Sequence, residues 1–120
     1  MNIICIEDNE MDKCLIEKKV KEVCPQCDFK KYRYLNDFLK SSHPYDLVIT
    51  DLMLPDEYGP DVLIKIRNVT GKPIIVITGV GGHIIPIPML KTIKNAGATI
   101  FLSKNQNGFN RLPEAIKSFL

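Results

Sequence analysis

The stretch Tyr45 to Gly59, YDLVITDLMLPDEYG, constrains the fold more than any other part of the chain. Its unbroken apolar run, Leu47-Val48-Ile49, reads as a strand buried on both faces, and Asp51 stands two residues beyond it. Strands of that kind belong to parallel sheets covered by helices on both sides. No neighbouring base neutralises Asp51. The loop that follows holds Pro55 and leads into Gly59-Pro60, a helix start, because proline at the first helical position gives up no needed N–H and already has helical φ. Asp51 is therefore expected at a strand-to-helix turn, where open parallel sheets bind their ligands.

The rest of the chain repeats this pattern. Asn2 to Ile6 is a short apolar strand tipped by Glu7-Asp8, and Asn9 caps a helix whose first turn holds Glu10 and Asp12, acids that suit the helix dipole. Leu15, Ile16, Val20 and Val23 form that helix's apolar face, and Pro25 marks its end. Phe29 to Tyr34, interrupted by Lys30, Lys31 and Arg33, reads as an edge strand protected by charge. A short helix with Phe38 and Leu39 inward precedes the Asp51 strand. After Pro60 an amphipathic helix uses Val62, Leu63, Ile66 and Val69 and closes at Gly71. Pro73 to Ile77 is a further buried strand, ending on Thr78-Gly79. The segment 80–88, VGGHIIPIP, is too rich in glycine and proline for a long helix and unusually apolar for a loop. A helix from Pro88, using Met89, Leu90, Ile93 and Ala96, stops at Gly97. Thr99 to Leu102 is the last strand, ending on Ser103-Lys104; Asn107-Gly108 is expected to turn the chain, and Pro113 to open a final helix.

Strands thus alternate with helices along 1–120, which predicts a single α/β domain with a parallel sheet. Right-handed crossovers put helices on both faces and every strand C-terminus at one edge, so Glu7, Asp8, Asp51, Thr78 and Lys104 should converge. The 120 residues are enough to bury roughly two-thirds of the unfolded surface without disulfides. A net charge of +2, with acids and bases interspersed, gives no footprint for nucleic acid or membrane, and a start too short and too acidic for a signal peptide predicts a cytoplasmic protein. Its four cysteines, Cys24-Pro25-Gln26-Cys27 included, are expected as reduced, incidental thiols.

Three carboxylates in one pocket repel one another unless a cation joins them. Mg²⁺ suits oxygen ligands and is typically held by one or two carboxylates together with phosphate oxygens, a role open to Asp8 and Asp51. Lys104 brings a compact ammonium for a phosphate oxygen or a bare carboxylate, and Thr78 adds a hydroxyl donor. Flanked in this way, Asp51 could act as a nucleophile toward phosphorus.

Taken together, the acidic pair Glu7-Asp8, Asp51 with Pro55 and Gly59 after it, Thr78, and Lys104 preceded by Phe101 resemble a response-regulator receiver domain of two-component signalling. The likeness spans essentially the whole chain. It implies a flavodoxin-like (βα)5 three-layer sandwich whose five-stranded parallel sheet has the order 2-1-3-4-5. It also implies that Asp51 accepts a phosphoryl group from a histidine kinase or phosphotransfer protein, with Asp8, Asp51 and the Met53 backbone carbonyl holding Mg²⁺ and Glu7 acting through water. Thr78 and Phe101 would be the switch residues, altering a surface for an output protein, for which the apolar 80–88 loop is a candidate. Such a protein is a signalling switch and not a conventional enzyme.

The sequence departs from that family in three places. Asn105 follows Lys104 where a cis proline is usual, and a non-proline cis bond costs roughly 3 kcal/mol, so Lys104 is expected to be aimed differently or strained. The interval from Thr78 to Lys104 is longer than usual, with the excess in 80–88. Met53 and Val80 stand where polar side chains often orient an attacking water, which predicts slow loss of phosphate. Two rivals follow. One is a receiver-like interaction module that signals without phosphate. The other is a Mg²⁺-dependent phosphatase with an aspartyl nucleophile, although in enzymes of the haloacid-dehalogenase type that motif follows the first strand.

Overall fold

The computed structural model describes residues 1–79 and 86–120. Its main strands are β1 (Asn2–Ile6), β2 (Asp28–Tyr32), β3 (Leu47–Thr50), β4 (Ile74–Thr78) and β5 (Ile100–Ser103). Between and after them run α1 (Glu10–Val23), α2 (Leu35–Lys40), α3 (Pro60–Arg67), α4 (Leu90–Asn95, entered through a 3-10 turn at Ile87–Met89) and α5 (Gln106–Lys117). The sheet order is β2-β1-β3-β4-β5 and every pairing is parallel, the flavodoxin-like arrangement that the resemblance implied. Among the described residues no helix is long and apolar enough to cross a membrane.

The period-two rule divides the sheet into two cores. Ile3, Cys5, Leu47, Ile49, Ile75 and Ile77 face one side, where Ile16 and Val20 of α1 and Leu112 and Ile116 of α5 cover them. Ile4, Ile6, Val48, Ile74 and Val76 face the other, under Leu35 and Phe38 of α2, Leu63 and Ile66 of α3, and Ile93 of α4. Because β3 and β4 are buried on both faces, their sequences are apolar up to the threonine that ends each, whereas β2 at the edge alternates only weakly.

Three local expectations are revised. Asn107 and Gly108 make no turn: the Asn105 side chain accepts the Gly108 N–H at 2.7 Å and starts α5 at Gln106, leaving Pro113 inside the helix instead of at its opening. Glycine is required at 108 because a Cβ there would fall 1.7 Å from the Ser103 carbonyl oxygen. Cys24 and Cys27 are not free thiols but a disulfide; the turn ending α1, in which the Cys27 N–H bonds the Cys24 carbonyl, brings their Cα atoms to 5.3 Å. The loop after Asp51 contains a two-residue antiparallel ladder, Met53–Leu54 with Glu57–Tyr58. Its Asp56 carboxylate accepts the N–H groups of Leu35 and Asn36, capping α2 from a distance in sequence. His43 is half-buried and pairs with Asp28 at 3.2 Å. Val80, Ile84 and Ile85, hence most of the 80–88 loop, lie outside the described residues; Ile87 is exposed.

Candidate functional site

The ends of β1, β3, β4 and β5 meet at one edge of the sheet. The Asp51 N–H donates to the Ile6 carbonyl at 3.0 Å, and the Lys104 N–H donates to the Thr78 carbonyl at 2.8 Å, so backbone bonds between neighbouring strands set both side chains. Asp51 is 4% exposed. Its Oδ1 accepts the Thr78 hydroxyl at 2.5 Å, the Leu52 N–H at 2.7 Å and the Met53 N–H at 3.2 Å. Its Oδ2 accepts from Lys104 Nζ at 2.7 Å. The two oxygens are thus unlike: one is tied into the protein by three donors, while the other faces the ammonium.

Glu7 is fully buried. Oε1 accepts the Asn9 N–H at 3.0 Å, whereas Oε2 makes no hydrogen bond although Lys104 Nζ lies 2.8 Å away in an ion pair. Burial, and then the charge of Asp51, push the Glu7 pKa up to about 7 against the opposing pull of Lys104 and the Asn9 N–H. Lys104 is held as the charged ammonium. Burial alone would release its proton, but the charge of Asp51 and close contact with the Asp12, Asp51 and Glu7 carboxylates outweigh that and raise its pKa.

One carboxylate oxygen from each of Glu7, Asp8 and Asp51 lies within 4.8 Å of the others. These three hard oxygens, with Glu7 Oε2 buried and lacking a hydrogen bond, fit a hard divalent cation, which would relieve their mutual repulsion. The cleft over Asp51, about 330 Å³, is lined by Asp12, Met53, Gly79, Lys104 and Phe109.

The residues expected at the strand ends therefore converge. Glu7, Asp8, Asp51, Thr78 and Lys104 surround one point, and Met53 lines its mouth. Phe101 does not line this cleft; half-buried, it packs with the core beneath α4 and lines a separate hollow with Leu90, Lys91 and Lys94. The altered aim expected for Lys104 is absent. No peptide among the described residues is cis, and Lys104 reaches Asp51 across a trans bond to Asn105. Asp12, expected only as a helix-start acid, also belongs to the site: its Oδ2 lies 2.8 Å from Lys104 Nζ. The available signal was spacing: the Asn9 cap accepts the Asp12 N–H at 2.9 Å, which places Asp12 in the first turn of α1, just beyond the acidic pair.

The model of the response regulator receiver domain matches residues 3–117. Response regulator ArlR of Staphylococcus epidermidis is 35% identical over 77 residues, a match covering 64% of this chain and 35% of that protein, so the chain spans about a third of this curated relative. A two-component response regulator from Clostridium difficile superposes with a TM-score of 0.83 at 21% identity, covering 99% of this chain and 94% of the other. The BeF3-activated DrrB receiver domain gives 0.76 at 25% identity, over 98% and 95%. With the family's acids, threonine and lysine gathered at the C-terminal edge of a parallel sheet of its topology, and its sequence model matched from Ile3 to Lys117, the chain belongs to the response regulator receiver domain family.

Proposed function

We propose that Asp51 accepts a phosphoryl group from a histidine kinase or phosphotransfer protein, and that the chain works in the cytoplasm as a switch and not as a conventional enzyme. The observation that carries this reading is the asymmetry of the Asp51 carboxylate: Oδ1 is anchored by Thr78 and two backbone N–H groups, while Oδ2 meets only the Lys104 ammonium among the described donors. A nucleophile needs one oxygen fixed and the other with lone pairs to spend on phosphorus. In the transfer, Asp51 Oδ2 forms the new P–O bond as the donor's P–N bond breaks, and the imidazole leaves with that electron pair. Lys104 and Thr78 donate to the phosphoryl oxygens where negative charge gathers.

Glu7, Asp8 and Asp51 would hold Mg²⁺, the family resemblance adding the Met53 carbonyl. The ion, when bound, supplies positive charge to the transferring group's oxygens. Burial of Glu7 and Asp51 keeps water from competing for those contacts. The output protein would read a change that begins at Thr78, whose hydroxyl exchanges Asp51 for a phosphoryl oxygen; differential contacts of this kind shift a two-state equilibrium. Phosphoryl uptake by the purified protein, with Asp51→Asn as control, is the test.

A further inference from the structure

Lys104 Nζ carries three hydrogens, and three carboxylates surround it: Asp51 at 2.7 Å, Glu7 at 2.8 Å and Asp12 at 2.8 Å. Three anionic neighbours therefore already compete for the ammonium. If Asp51 is the phosphoacceptor, as proposed above, the arriving phosphoryl oxygen must compete with these carboxylates for the ammonium. The three are not equally free to yield. Asp51 is anchored by Thr78, Leu52 and Met53, and Glu7 is buried with its other oxygen on the Asn9 N–H. Asp12 sits on the rim of the cleft with 28% of its side chain exposed, and Lys104 is the partner its carboxylate meets there. Its backbone N–H, bonded to Asn9, would stay in place if the side chain swung out.

We infer that Asp12 is a positioning residue that occupies Lys104 in the resting protein and competes with the incoming phosphoryl group for it, slowing phosphoryl uptake at Asp51. The contact has two consequences. It aims the ammonium at Asp51 while the site is empty, and it adds a negative charge at the mouth through which an anionic donor enters. Releasing Lys104 from Asp12 is then part of every phosphorylation event.

The experiment compares initial rates of uptake from acetyl phosphate with Mg²⁺, followed by intact mass, for wild type, Asp12→Asn and Asp12→Glu, with thermal melts to check folding. Asparagine keeps the size of the side chain and removes its charge. The expected result is uptake about two- to fivefold faster in Asp12→Asn, the range of a partly exposed ion pair, with the gain shrinking as salt is raised and Asp12→Glu returning toward wild type. A purely structural role would not give a salt-dependent gain. Uptake in Asp12→Asn equal to or slower than wild type overturns this inference and leaves Asp51 standing as the acceptor. No uptake in any of the three proteins, from acetyl phosphate and from a phosphohistidine donor alike, overturns both.

Discussion

In Glu7 a carboxyl group is fully buried, and the conflict between burial and charge predicts how the protein responds to pH. Its carboxyl titrates near 4.5 when unfolded and about 7 when folded, raised first by burial and then by Asp51. The folded state binds the proton more tightly, so the contribution of Glu7 to stability is present below the unfolded value and is lost as pH rises through the folded one. In the presence of a chelator, wild type should therefore melt at lower temperature at about pH 8 than at about pH 5, and Glu7→Gln should flatten that difference. Equal slopes in the two proteins would contradict the assignment. At Met53 the prediction is kinetic. An apolar side chain, 37% exposed at the mouth of the cleft, offers nothing to orient a water for attack on an acyl phosphate. Phospho-Asp51 should persist, and Met53→Asn should shorten its lifetime several-fold, measured by the decay of the phosphorylated mass after the donor is removed.

The joint between β5 and α5 controls where Lys104 points. Asn105 bonds back to the Ser103 carbonyl through its N–H and caps α5 through its side chain, and the first turn of α5 lies directly on Ser103. Gly108→Ala should drive a methyl group into that carbonyl and destabilise the protein by about 3 kcal/mol, the upper end of overpacking penalties, while also lowering phosphoryl uptake because Lys104 moves with the joint. Gly71→Ala is the matched control: nothing lies within 4 Å of its added Cβ, and denaturant melts should show little change. This joint was also the least legible part of the sequence. Asn-Gly reads as a turn and Pro113 as a helix start on local chemistry alone, and tertiary contact with Ser103 decided otherwise. The Cys24–Cys27 bridge was missed for a related reason, since composition points to a compartment and not to the distance between two thiols. Likewise, nothing local in Asp56 announces that it caps α2 across a gap in the chain.

The architecture was legible because both cores follow the period-two rule along strands whose boundaries are marked by acids, Thr78 and Lys104. Where a strand is buried on both faces, the first polar residue after it can emerge only at the sheet edge, and parallel connections bring all such edges together. That reasoning reaches the five residues at strand ends but cannot reach Asp12, which arrives from a helix and is found by its distance to Lys104. Every role assigned to this edge requires phosphate to be accepted at the Asp51 carboxylate. The most direct measurement is the intact mass of the protein after incubation with Mg²⁺ and acetyl phosphate, beside Asp51→Asn and a chelated sample. Wild type should gain one phosphoryl increment, absent from Asp51→Asn and absent when the divalent ion is removed. An increment that survives in Asp51→Asn, or no increment from acetyl phosphate and from a phosphohistidine donor alike, would contradict it.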